Sequence, residues 1–157
     1  MKALVLTVSD RVSKGAAVDT AGPAAVEALT AMGIDADLAV VADGVESVSE
    51  VLRAAVVVDR PLVVTAGGTG LAARDLTPEA TRLVIDREAP GIAEAIRAAS
   101  LAVTPHGMLS RGVAGVARRT LIVNLPGSEK AVRESMEVLA PVLGHALQLL
   151  AGDTDHG

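Results

Sequence analysis

The sequence predicts an α/β domain: a three-layer α/β/α arrangement with a largely parallel sheet between two layers of helices. Three observations carry this. Short runs rich in Val, Leu and Ile alternate with longer stretches of helical period. Those runs are continuously apolar, as strands covered on both faces are. A length of 157 residues suits one ordinary domain, and no internal repeat or low-complexity linker divides it.

The first strand is expected over residues 3–8. "GPAAVEALTAMG" then reads as a helix, with Pro23 near its first turn and Gly33 just past its end. Residues 37–41 form the second strand. "GVESVSEVLRAAVVVD" follows as an amphipathic helix with Val45, Val48, Leu52 and Ala55 on one face. The third strand covers 62–65. Pro78 opens a helix reaching about Ile85, and "GIAEAIRAAS" is a short further helix with Ile92 and Ile96 on one side. The fourth strand is 120–125. From Ser128 the chain is helical to about Leu150, and Pro141 is expected to kink or divide that helix. The domain is taken as 1–151, with 152–157, "GDTDHG", as a frayed tail.

Composition removes whole classes of function. Without Cys there is no disulfide, iron–sulfur cluster, thiolate zinc site or cysteine nucleophile. The absence of Phe, Tyr and Trp removes the stacking platforms of single-strand binders. Fourteen Lys plus Arg against nineteen Asp plus Glu give a net charge of −5, which argues against a nucleic-acid-coating surface. The apolar run in "MKALVLTVSDR" is too short for a signal-peptide core. No apolar stretch approaches the roughly 20 residues of a membrane span, so a soluble cytoplasmic protein is expected.

In an open parallel sheet the loops leaving the strand C-termini gather along one edge, where ligands bind. Here those loops are "SDR" (Ser9, Asp10, Arg11), "ADG" ending the second strand at Asp43, "GGTG" (Gly67, Gly68, Thr69, Gly70) and "PGS" (Pro126, Gly127, Ser128). The bare backbone of the glycine loop can bring successive N–H groups to an anion. Ser128 reads as the N-cap of the last helix, a second anion-favouring position. Glycine turns after strands are also plain structural punctuation. The chain contains no P-loop. "GTGLAA" followed by Glu88 matches a dinucleotide fingerprint, but Pro78 delays the helix that fingerprint requires.

Asp43 and Asp75 are the acids best placed for chemistry. A carboxylate beside polyphosphate repels it unless a hard cation such as Mg²⁺ lies between them. The competing readings are a helix cap for Asp43, paired with Glu46, and an Asx turn before Thr77 for Asp75. Among the arginines, Arg74 stands out by position.

"LTVSDR", "DTAGP", "VVTAGGTGLAARDLTPEAT", "PGIAEAIR", "TPHGMLSRGVAGV" and "LIVNLPGSEKAVRE" together resemble the MogA/MoaB family of molybdenum-cofactor biosynthesis proteins, in order and over nearly the whole chain. The resemblance implies a mixed sheet, a homotrimer or hexamer, and binding of molybdopterin. It further implies adenylylation of molybdopterin by Mg²⁺ and ATP with release of pyrophosphate, the product passing to a downstream metal-insertion protein. The family's functional aspartates match Asp43 and Asp75, as catalytic and metal-binding residues. Its substrate-binding positions match Thr65, Gly67, Gly68, Thr69, Gly70, Ser110, Pro126, Gly127 and Ser128, beside Ser9 and Asp10 of the first strand end. Ala66 stands where many relatives have Thr. A molybdopterin-binding protein without transferase activity is the alternative, and a nicotinamide-dependent oxidoreductase a distant third.

Overall fold

In the computed structural model, which describes residues 2–154, one six-stranded sheet runs through the domain. Its strands are β1 (Ala3–Val8), β2 (Ala36–Val41), β3 (Leu62–Ala66), β4 (Arg87–Glu88), β5 (Ala114–Ala117) and β6 (Thr120–Leu125), in the spatial order β2-β1-β3-β6-β5-β4. The first four in space are mutually parallel. β5 is antiparallel to both of its neighbours, which makes the sheet mixed.

The helices are α1 (Asp10–Ser13), α2 (Ala21–Ala31), α3 (Val45–Val57), α4 (Thr77–Arg82), α5 (Pro90–Val103) and α6 (Glu129–Leu150), with a 3-10 turn at Pro105–Leu109. Alternate residues of the central strands feed two separate cores. Val5, Val64 and Val123 pack with Leu29 of α2 and Met136, Leu139 and Leu143 of α6. Leu6, Val63 and Ile122 pack with Val48 and Leu52 of α3 and Ala80 of α4. Continuous apolar runs therefore serve both faces at once, giving the three layers.

Four departures from the sequence reading have physical causes. β2 is an edge strand whose Leu38 and Val40 are 43% and 39% exposed, so its apolar run is not covered on both faces. β4 and β5 were not foreseen: the first is two charged residues, and the second is the small-residue run Ala-Gly-Val-Ala, held by pairing with β6 across the turn at Arg118 and Arg119. Pro141 does not divide α6, which runs unbroken for 22 residues. It lies on the exposed face, where water can satisfy the carbonyl its missing N–H leaves free. α4 stops at Arg82, while α5 extends beyond the stretch expected for it at both ends. The expected tail lies only partly among the described residues.

Because β1, β2, β3 and β6 are parallel, their C-terminal ends share one edge of the sheet. The strand order leaves β1 with β2 on one side and β3 on the other, and the crevice that opens beyond the ends of these strands is where the site lies.

Candidate functional site

A cleft of about 280 Å³ opens at this edge, and Ser9, Asp43, Gly67, Gly68, Asp75 and Gly127 line it. All four strand-end loops thus reach a single place. Their approach is close enough to require glycine. Gly67 has φ +107°, and a Cβ there would run into the carbonyl oxygen of Val8. Gly68 has φ +69°, and a Cβ there would strike Thr77 Oγ1 and stand 3.1 Å from Asp43 Oδ1. At Gly127 it would lie 3.2 Å from the Cα of Gly67. Bare backbone of three loops is pressed together beside a carboxylate.

The glycine loop is tied from below. Thr77, fully buried at the start of α4, donates through Oγ1 to the Gly67 carbonyl at 2.9 Å and through its amide to the Gly68 carbonyl at 3.1 Å. The motif threonine is therefore a loop anchor.

Asp43 is not a helix cap. Gly44 occupies the N-cap of α3 and no side chain caps it. The Asp43 carboxylate instead accepts from the Asp10 amide at 2.9 Å, while the Asp43 amide donates to Asp10 Oδ1 at 3.2 Å. Burial pushes the Asp43 carboxyl above its ordinary range, and the nearby Asp10 and Asp75 charges add to this, against the hydrogen bond from Asp10. Asp10 goes the other way, held low chiefly by its hydrogen bond to Arg74. Arg74 forks both Asp10 oxygens and donates to the Asp43 carbonyl, so the one arginine singled out by position pins a loop at the rim. Asp75 is not in an Asx turn towards Thr77. Its Oδ2 accepts from the Ala72 amide at 3.1 Å, three residues back.

The remaining expected residues fall elsewhere. Thr65 is fully buried, and its hydroxyl accepts from Asn124 Nδ2 at 3.0 Å inside the sheet. Ser110 and Pro126 face a separate small cavity beside α5. Thr69 is buried, with its carbonyl held by the Arg111 amide at 2.8 Å. The Gly70 carbonyl is held by the Arg111 guanidinium. Ser128 caps α6 by accepting from the Ala131 amide at 3.1 Å, next to Gly127 in the cleft. Ala66 also lines the cleft.

Sequence reasoning missed Thr7 and Asp19, which line the same cleft. Asp19 accepts from Thr7 Oγ1 at 2.7 Å and from the Gly22 amide at 3.0 Å, fastening the start of α2 to β1. The signal was in "DTAGP": an acid three residues before a glycine whose Cβ would strike both Thr7 and Asp19.

Among the described residues the lining therefore carries three carboxylates, Asp19, Asp43 and Asp75, and no Lys or Arg. Among the described residues no group of three metal-ligating side chains is close enough to hold an ion unaided. Asp43 and Asp75, on one cleft with the backbone of Gly68 and Gly127, suit a hard divalent cation whose shell is completed by phosphate oxygens and water, the usual manner of Mg²⁺.

Residues 4–145 match the family described as "Probable molybdopterin binding domain". The chain is 38% identical over 153 residues to the molybdopterin adenylyltransferase of Helicobacter pylori strain J99, covering 95% of this chain and 87% of that one. It is 40% identical to gephyrin of Dictyostelium discoideum over 93% of its own length, but spans only 22% of that longer protein. Among solved structures, the molybdopterin biosynthesis Mog protein of Mycobacterium ulcerans superposes with a TM-score of 0.90 at 45% identity, covering 95% of this chain and 98% of that one.

Proposed function

The chain belongs to this molybdenum-cofactor biosynthesis family of molybdopterin-binding domains, and from that premise we propose that it is a molybdopterin adenylyltransferase using Mg²⁺ and ATP. The observation that carries the reading is the placing of Asp43 and Asp75 in one cleft with the bare backbone of Gly67, Gly68 and Gly127. A pocket that only held an anionic pterin has no need of acids there, since they repel its phosphate.

In the proposed reaction a terminal phosphate oxygen of molybdopterin attacks the α-phosphorus of ATP. The bond from that phosphorus to the bridging oxygen breaks, and pyrophosphate leaves with the electron pair. The nucleophile comes from the substrate, so the protein need only align the reactants and balance charge. Asp43 and Asp75 would hold the cation, which when bound would neutralise charge on the reacting phosphates. The Gly67 amide is held by the Leu125 carbonyl at 3.1 Å, and the amides of Gly68 and Gly127 serve phosphate oxygens. Asp10 and Arg74 keep Asp43 in place, and Thr77 fixes the loop beneath it.

Incubation with ATP, Mg²⁺ and molybdopterin tests the reading. Release of pyrophosphate together with an adenylylated pterin is the expected result. Pterin binding without pyrophosphate would establish the binding-protein alternative instead.

The same reading includes a homotrimer, or a hexamer built from trimers, acting in the cytoplasm and passing its product to a metal-insertion protein. α5 supports self-association: of its 14 residues only Ile96 is buried, and Leu101, Val103, Met108 and Leu109 at its end and the following turn are exposed. Among the described residues no helix is long and apolar enough to cross a membrane.

A further inference from the structure

We infer that Arg111, paired with Glu79, is a positioning residue that sets Asp75 in the cleft by bracing both ends of the loop that carries it. The inference rests on the proposed role of Asp75, though the brace itself is visible without it.

The loop from Gly70 to Asp75 projects from the end of β3, and Leu71, Ala72, Ala73 and Arg74 are all exposed. Its internal ties are two: the Asp75 amide donates to the Ala72 carbonyl at 3.0 Å, and the Ala72 amide donates to Asp75 Oδ2 at 3.1 Å. These fix Asp75 within its own turn, and Arg74 ties the outer side of the loop to Asp10 and to the Asp43 carbonyl. Arg111 braces its base. Its amide donates to the Thr69 carbonyl at 2.8 Å, its Nε to the Gly70 carbonyl at 2.8 Å, and one terminal nitrogen to the carbonyl of Asp75 itself. The other terminal nitrogen donates to both oxygens of Glu79 at 2.9 Å.

The guanidinium is planar and rigid, so contacts made by all three of its nitrogens fix the separation of Gly70 from Asp75 as well as their orientation. Glu79, in the first turn of α4, keeps the plane from rotating, and its own carboxyl is held low chiefly by the hydrogen bond to Arg111. Thr77 anchors the same segment from the other side. A guanidinium committed in this way is not available to a phosphate, although composition alone makes Arg111 a candidate for one. Lysine at this position could still meet Glu79, but its single ammonium cannot span both carbonyls.

The test compares the full-length wild type with Arg111→Lys, Arg111→Gln and Glu79→Gln, reading adenylyl transfer and, separately, amide hydrogen exchange. Arg111→Lys should lower kcat about tenfold or more with KM for molybdopterin within about twofold, since a displaced catalytic group reduces turnover more than binding. The Asp75 amide should exchange roughly tenfold faster while core amides such as Val64 keep their protection. Arg111→Gln combined with Glu79→Gln should be no worse than Arg111→Gln alone, because the two residues act as one unit.

Wild-type kcat and unchanged Asp75 exchange in Arg111→Lys and Arg111→Gln overturn the brace. So does a loss of molybdopterin affinity with unchanged exchange, which would make Arg111 a ligand contact. A wild-type protein that transfers no adenylyl group, but whose Asp75 exchange still accelerates in Arg111→Lys, overturns the proposed activity and leaves the brace standing.

Discussion

Asp10 and Asp43 hold each other by exchange: the Asp10 amide donates to Asp43 Oδ2 at 2.9 Å, and the Asp43 amide donates to Asp10 Oδ1 at 3.2 Å. Two strand ends are locked into one unit, and Arg74 neutralises only its outer member. Asp43, the inner member, faces the cleft, whose lining carries no Lys or Arg among the described residues.

Asp75→Asn should abolish turnover, by about 10²-fold or more, with little effect on molybdopterin binding. The substitution keeps the shape and the acceptor for the Ala72 amide and removes only charge. Single-turnover rates and equilibrium pterin binding, measured on the same preparation, check it. Retention of the wild-type rate would remove Asp75 from the chemistry.

The raised Asp43 carboxyl makes a pH prediction whose sign is fixed. The folded protein favours the protonated acid, so this contribution to stability is present at and below the ordinary value of 3.8 and is lost as pH rises through the higher folded value. Without divalent cation, Asp43→Asn should therefore gain on the wild type in melting temperature as pH rises from 3.8 through the higher folded value. Asp10 has the opposite sign: its contribution is present above 3.8 and lost as pH falls through its lowered value, so Asp10→Asn should destabilise at neutral pH. Thermal unfolding across this range separates the two. Added Mg²⁺ should raise the wild-type melting temperature at neutral pH and leave Asp43→Asn nearly unmoved.

Gly68→Ala forces a side chain into a left-handed conformation and against Thr77. It should destabilise by about 1–3 kcal/mol and lower activity, because Asp43 stands beside the new methyl. Gly144→Ala is the control. That glycine lies in α6, with nothing within 4 Å of a Cβ, so the change should stabilise by about 0.5–1 kcal/mol and leave turnover unchanged. Denaturant unfolding of both variants decides it.

Asn124 is buried with its whole amide used: Nδ2 donates to Thr65 and Thr81, and Oδ1 accepts from the Val113 amide. Asn124→Ala leaves three buried groups unmatched and should destabilise by about 2–4 kcal/mol. Guanidinium unfolding measures this. The asparagine of "NLPGS" thus serves the sheet, as Thr65 does.

Much of this was legible because it rests on period and punctuation. Apolar runs of four to six residues located β1, β3 and β6 to within a residue, and the small polar residues of the loops after them located the cleft. What escaped depends on partners remote in sequence. β4 has no apolar residue, and β5 is a strand only because β6 pairs with it across a turn lacking glycine. Asp19 and Arg111 take their roles from residues that the fold brings to them, Thr7 for the first and Gly70 and Glu79 for the second. Thr65 shows the reverse: it sits at a matching motif position, but its side chain points into the core rather than the crevice.

The central claim is that one strand-end cleft takes the reacting phosphates. A crystal structure of the protein with Mg²⁺, a non-hydrolysable ATP analogue and molybdopterin tests it most directly. The account predicts phosphate oxygens on the amides of Gly68 or Gly127 and a cation ligated by Asp43 and Asp75. Nucleotide or pterin seated elsewhere, for example in the apolar groove between α2 and α6 beside Met32 and Ala140, with both aspartates unligated, would contradict it.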